Sequence, residues 1–353
     1  VEEAGLKTTS FGDKLKLAFK SITSFFSTTK IMMEIITQLK QMVANVTALD
    51  SAMVELRKVT EASDAEFDRF LSRAKTKAVE LGSTVTDLVN STADFSRLGF
   101  SLKEAEELAQ VATIYKNVGD DINSIDDSSS IIVTAMKAFN IEAEDAISIV
   151  DKLNKIGNNF AISSGDLGEG LTRAASYMYT AGNTIDQTLA MLTAMTEITQ
   201  DASASGNALK ILAMRLRGAK TEIIDAGEST DGMAESTSKL REDILALTNV
   251  TGKGGFDIMF NDDEFKSTYD ILKGISEVWN DMSNVNQAAL IELIAGKQRG
   301  NAVSALLTSM AQAENVLTTS INSAGSAMEE QAIWLDSIEA KTNQFKASFE
   351  VLS

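Results

Sequence analysis

From residue 60 to 220, apolar residues recur three and four positions apart, and the runs are interrupted about every 20 residues. Leu102, Ala105, Leu108, Ala109, Ala112 and Tyr115 form one stripe, and Ile185, Leu189, Leu192, Met195 and Ile198 another. Such spacing puts one face of a helix against a core. Several interruptions carry a small hydroxyl residue with an acid or amide three places on: Ser63 with Glu66, Thr84 with Asp87, Ser101 with Glu104, Ser163 with Asp166, Thr184 with Gln187. The hydroxyl accepts from an orphan N–H of the first turn, and the acid or amide reaches back. These signals predict helices near 64–81, 85–98, 102–117, 125–139, 142–157, 164–180, 185–201 and 204–217. Gly82, Gly99, Asn140 and Gly182 then fall just past helix ends, where a left-handed residue closes the last turn.

Gly99, Asn140 and Gly182 open equivalent helices about 41 residues apart, a degenerate repeat of helical hairpins that lasts about three units. It predicts a compact bundle rather than a long solenoid. After Gly218 the pattern changes. Residues 225–238 read as a loop, 239–248 as a helix, and two short alternating runs around Asn261-Asp262-Asp263 as a small β-hairpin near 256–266. Helices resume near 267–281, 285–296 and 299–313. Ile321, Ala324, Met328, Leu335, Ile338 and Phe345 predict the inward face of one long final helix from about 314. The expected fold is all-α: short helical hairpins flanked by longer helices. The divisions are lead-in helices over 1–59, a core over 60–313 with an insertion at about 225–267, and the final helix over 314–353.

The lead-in is unlike the rest in charge. Residues 4–33 hold five lysines against one aspartate, whereas the whole chain of 353 residues carries a net −18. Phe11, Leu15, Phe19, Ile22, Phe25 and Phe26 line one side of this stretch, and Ile31, Ile35, Leu39, Met42, Val46 and Leu49 continue behind it. The plain reading is two helices packed on partners. The sharper one is a basic amphipathic surface, through Lys14, Lys16, Lys20, Phe19 and Phe25, for a membrane or an acidic wall. The acidic remainder argues against a general nucleic-acid binder, because phosphate contacts need Lys and Arg. The faces at 31–49 and 314–350 are expected to self-associate, as a trimer.

Composition removes much chemistry. With no His and no Cys, there is no His/Cys zinc site, no cysteine nucleophile, no triad with a His base and no disulfide. There is also no proline, where average usage would give roughly 17. Proline breaks interior helical turns, so its absence fits a nearly all-helical chain. No apolar run reaches the roughly 20 residues of a membrane span. The chain begins at Val1 and stops within a helical pattern, and is read as an internal piece of something longer.

The remaining motifs read as structural. Gly252-Lys-Gly-Gly255 and Ala295-Gly-Lys-Gln298 look like phosphate loops but lack the upstream glycine and the Ser or Thr after Lys. Gly165-Asp-Leu-Gly168-Glu-Gly170 has its glycines in the wrong order for a dinucleotide loop, and is expected to be a helix start with tight packing. Asp120, Asp121, Asn123, Asp126 and Asp127 lack the alternation and distal Glu of a calcium loop; a solvated turn with a helix cap is expected. Met191, Met195 and Met214 read as core filler. No enzyme activity and no cofactor are expected.

Two segments carry more than composition does: Ser205-Gly-Asn-Ala-Leu-Lys-Ile-Leu-Ala-Met-Arg-Leu216, and Ser267-Thr-Tyr-Asp-Ile-Leu-Lys-Gly-Ile-Ser-Glu-Val-Trp279 with Leu293-Ile-Ala-Gly-Lys-Gln-Arg-Gly-Asn-Ala-Val303 downstream. They resemble the folded core of phage tail tape measure proteins, in the form common in phages and prophages of Gram-positive bacteria. The order of pieces, including Phe256-Asp-Ile-Met and Glu264-Phe, is similar across roughly 50–320. The motifs are structural and bring no catalytic residue with them.

The resemblance implies a protein of the virion tail lumen that sets tail length, supports tube assembly and leaves ahead of the DNA. Its implied partners are copies of itself, the tail tube protein, distal tail and hub proteins and tail assembly chaperones. It also implies the host cytoplasm during assembly and contact with the host envelope at infection. A continuous helix of this length would span roughly 530 Å, but the frequent caps make this piece a folded knot beside the ruler. The alternative from another class is a helical adaptor or the leader domain of a secreted bacterial toxin.

Overall fold

The computed structural model describes residues 44, 47–250, 252 and 254–351. The fold is all-α with one small antiparallel hairpin, as the periodicity predicts. After α1 (residues 47–59) come α2 (Asp64–Leu81), α3 (Val85–Arg97), α4 (Leu102–Val118), α5 (Ile125–Phe139), a 3₁₀ turn (Ala143–Asp145), α6 (Ile147–Gly157), α7 (Ser164–Thr180), α8 (Ile185–Thr199) and α9 (Ala202–Leu216). Then follow α10 (Lys220–Asp225), α11 (Thr237–Thr248), β1 (Met259–Asn261), β2 (Glu264–Phe265), α12 (Thr268–Trp279), α13 (Asn284–Thr308), α14 (Met310–Ile321), α15 (Ser326–Trp334) and α16 (Ile338–Val351).

Local sequence sets these boundaries. Ser63 and Thr184 make full capping boxes, each hydroxyl accepting from the N–H three residues on while Glu66 or Gln187 accepts from the cap's own N–H. Ser101 and Glu104 exchange the same pair of bonds. Thr84 and Ser163 supply the hydroxyl half. Gly82, Gly99, Asn140 and Gly182 all have positive φ, as helix closure requires.

Two compact units divide the described residues: 47–106 with 335–351, and 107–334. In the first, α2 packs against α3 and α16. The buried carboxylate of Glu350 on α16 accepts from the Val85 N–H at 2.7 Å and the Thr86 hydroxyl at 2.8 Å, covering the positive end of α3. In the second, α8 lies at the centre, against α7, α9, α13 and α14. Every residue from Thr188 to Thr196 is buried. A helix covered all round needs no apolar stripe, so the stripe predicted on α8 is only part of its buried surface, and its last member, Ile198, is exposed. Met191, Met195 and Met214 are buried, as expected of core filler.

Helices α7 and α9 meet through small residues. A Cβ on Gly206 would lie 2.3 Å from the Gly170 carbonyl oxygen, and one on Gly170 would meet Ala202 and Leu192 at 2.8 Å. Gly168 faces Ile131 and the Tyr115 hydroxyl equally tightly. The Gly165–Gly170 motif is therefore helix packing.

Two expected boundaries are refined and one expectation needs correction. Residues 226–236 have no regular element, and Lys220–Asp225 before them form α10, whose Ile223 packs with Ile211 and Met214. The helices expected at 285–296 and 299–313 are both present, meeting at a kink at Gly296 within α13, and the second ends at Thr308 rather than 313. Finally, the single helix expected over 314–353 is three. Gly325, at φ +86°, ends the linker after α14, and the Asp151 carboxylate binds the first N–H groups of α15. The expected inward face is also inverted: Ile321, Ala324, Met328, Ile338 and Phe345 are exposed, while Ser320, Ser323, Ala327, Gln331, Ala340 and Ala347 are buried.

Candidate functional site

The expected interaction surface of Lys14, Lys16, Lys20, Phe19 and Phe25 lies outside the described residues. The most specific constellation within them is a pair of arginines at the end of α9. Arg215 and Arg217 sit one on each side of Leu216, in a run that is otherwise apolar. Both guanidinium groups donate to main-chain carbonyls of the insertion that follows.

Arg215 is buried, yet meets no carboxylate. It donates through Nε to the Leu293 carbonyl at 3.1 Å, and through Nη2 to Glu292 at 3.0 Å and Asp231 at 2.7 Å. Nη1 donates to Ser229 at 3.3 Å. Glu292 and Leu293 end the first half of α13, where a cation complements the exposed carbonyls and the helix dipole. Burial pushes the Arg215 pKa down and nearby Arg299 adds to this, while Asp231 and Glu292 oppose it.

The α13 backbone is shaped around this side chain. Gly296 has φ +70° and ψ 176°, a region open essentially to glycine alone. A Cβ there would meet Nη1 of Arg215 at 3.2 Å. Arg299, three residues on, makes an ion pair with Glu228, which tethers the same loop from its other side. The two sequence segments singled out above thus meet at one place: Arg215 from the first, and Leu293, Gly296 and Arg299 from the second. A pocket of about 140 Å³ remains beside them, lined by Ile211, Arg215, Glu228, Asp231, Gly296 and Arg299. Its walls mix both charge signs, and Lys297 turns outward toward Glu292. Ala295-Gly-Lys-Gln298 is therefore a helix kink built around an arginine.

Arg217 does a parallel job. It donates to the carbonyls of Ala181 at 2.7 Å and Lys266 at 2.8 Å and lies 4.6 Å above the Phe265 ring. Burial lowers its pKa to about 10. It fixes the hairpin to the α7–α8 turn. From α11, Arg241 grips Asp257 through two nitrogens, at 2.9 and 2.6 Å, and holds that carboxyl below the usual carboxylate range. The insertion at 225–267 is thus held from outside by Arg215, Arg217 and Arg299, and within itself by Arg241. Only the unusual position of Arg215 and Arg217 in an apolar run could have marked them in the sequence, and none of their partners is local.

The acidic turn at 120–127 holds Ser124 as the cap of α5, accepting from the Asp127 N–H, and Asp121 at positive φ. A cleft of about 350 Å³ lies beside it. No group of three or more acids placed to hold a metal occurs among the described residues. Nor is any described helix long and apolar enough to cross a membrane.

What the fold and the arginine junction define is a packed helical scaffold, with buried cations joining elements far apart in sequence. The family described as phage-related minor tail protein matches residues 75–296, a span that includes α8, α9, the hairpin and the Arg215–Gly296 contact. The chain belongs to this family, and its role is a structural one in the phage tail. No solved structure matches it.

Proposed function

We propose that this chain is a segment of the protein that occupies the lumen of the tail, sets its length, supports assembly of the tube and leaves ahead of the DNA. The carrying observation is that the two segments similar to tape measure cores form one junction, Arg215 on Gly296, inside the span of the tail family. The acidic balance of −18 supports this reading, because a wall of like charge lets DNA pass without trapping it. In this reading the chain associates with copies of itself as a trimer around the tail axis. It meets the tube protein, the distal tail and hub proteins and the assembly chaperones, and presents the Lys14, Lys16 and Lys20 face to an acidic tube wall or to lipid. The test is tail length. In-frame deletions or duplications of helical sequence in the gene that encodes this chain should change tail length by up to about 1.5 Å per residue, measured by electron microscopy. Tails of unchanged length would overturn the proposal.

A further inference from the structure

Residues 320–334 form a strap across the second unit, and polar bonds rather than apolar burial hold it. Ser320 donates to Asp186 at 2.6 Å. Asp151 on α6 accepts from the N–H groups of Gly325 at 2.9 Å and Ala327 at 2.8 Å. Asn154, one turn further on, donates to the Ser326 hydroxyl at 2.8 Å, and Asn117 to Gln331 at 3.2 Å. The strap's buried face is Ser320, Ser323, Ser326, Ala327 and Gln331. Three of its large apolar side chains face water: Ile321 is 61% exposed, Met328 50% and Ile333 69%, while Trp334 is half-buried beside Lys116.

Most of these exposed residues fall on one heptad pattern, which Gln331 completes from the buried face and Ile333 stands outside. Ile321, Met328 and Leu335 are seven apart, and Ala324, Gln331, Ile338 and Phe345 are the matching second series, also seven apart. Ile338 is 87% exposed and Phe345 60%. Two apolar positions per heptad make the seam of a coiled coil, and a single buried amide in it sets register. No proline lies in the chain, and Gly325 is the one glycine between 301 and 353, off the seam. Nothing covalent prevents residues 317–351 from forming one helix. The exposed seam side chains Ile321, Met328, Ile338 and Phe345 amount to roughly 500 Å² per chain, taking about 200 Å² for each when fully open, against about 800 Å² per partner in a standard interface.

We infer that the strap is a releasable latch: when the Asp151 and Asp186 bonds let go, residues 317–351 straighten and pair with the same seam of a second copy of this chain. The folded arrangement keeps the copy single, and the straightened one joins copies. This rests on the self-association in the proposed function and supplies its residues and its control.

Because the chain has no cysteine, a lock can be introduced cleanly. In the 353-residue chain, Asn154→Cys with Ser326→Cys is oxidised to tie the strap down, then reduced in the same sample. Sedimentation should show that the oxidised form stays single while the reduced form associates, with the midpoint shifted by about tenfold or more. Asp151→Ala should associate more readily than the unaltered chain, and adding Ile338→Asp and Phe345→Asp should abolish it. Circular dichroism of each variant checks that the fold persists. Equal association of locked and reduced forms would overturn the latch while leaving self-association standing. So would association that survives the two aspartates. A chain that stays single even as Asp151→Ala would overturn both.

Discussion

Replacing Arg215 by alanine probes the junction most directly. The change removes four hydrogen bonds from a charged donor to main-chain carbonyls and opens a cavity at the end of α9. Ser229 and Asp231 belong to a loop that can turn toward water, so their carbonyls recover much of what they lose. The carbonyls of Glu292 and Leu293 close a helix at a fixed kink and cannot. A hydrogen bond to a charged group contributes about 1.5–3 kcal/mol, and orphaned buried acceptors carry a further desolvation cost. Together these give a loss of about 3–5 kcal/mol, of the size found when one member of a buried polar arrangement is deleted. For a unit of this size that is a melting shift of roughly 10 °C. Arg215→Lys should recover little of it, because an ammonium cannot reach carbonyls on three sides. Gly296→Ala should cost about 1–3 kcal/mol through its φ of +70°. The double variant should lose less than the sum, because truncating Arg215 removes the 3.2 Å obstruction that the new Cβ meets. Urea unfolding followed at the helical band gives all four numbers. Arg215→Ala within about 0.5 kcal/mol of the unaltered chain, a surface-like value, would refute the reasoning. Strict additivity would refute the contact with Gly296.

Three further outcomes follow from other parts of the fold. Gly206→Ala should cost at least about 1–3 kcal/mol by overpacking, since its Cβ would lie 2.3 Å from the Gly170 oxygen; thermal melting measures it. Asp257 has its pKa lowered by Arg241, so the stability it contributes is present above its ordinary value of 3.8 and is lost as pH falls through the lower folded value. Amide shifts of Met259 and Lys266 should therefore loosen in acid, and Asp257→Asn should abolish that transition. Changing Lys14, Lys16 and Lys20 to Glu should weaken tail assembly or DNA delivery while the helical signal of the core is kept; normal tail yield and delivery would refute the basic-face proposal.

Whatever depended on near neighbours could be read from the sequence. Ser63 with Glu66 and Thr184 with Gln187 close their bonds within four residues, so cap, helix start and φ-positive stop were all visible. The Arg215 junction was not, because its acceptors at 292 and 293 lie 77 and 78 positions away and only folding brings them near. The same holds for Gly296, whose glycine resembles part of a phosphate loop until the guanidinium beside it is seen. Periodicity found the stripe at 321–345 but could not say which side of it faces the core. Ser320, Ser323 and Ala327 also recur three and four apart, and a small face lets a helix approach its neighbours closely. Asp151, 174 and 176 positions from its N–H partners, then fixes the break at Gly325.

Two ways of joining helices coexist in the second unit, and they differ in how they give way. Where α7 meets α9, backbone touches backbone at Gly170 and Gly206, so any separation opens a void and loses many dispersion contacts at once. That contact is cooperative and belongs to the stable end of the molecule. Where α15 meets α6, the bonds are polar and individually replaceable by water, and little apolar surface is lost when they part. Local opening with a low free energy is drawn from regions of this second kind. The proposed joining of copies needs both: a core that survives assembly, and an edge whose bonds can be exchanged. The placement of glycine in the first contact, and of aspartate, asparagine and serine in the second, supplies that division within one chain.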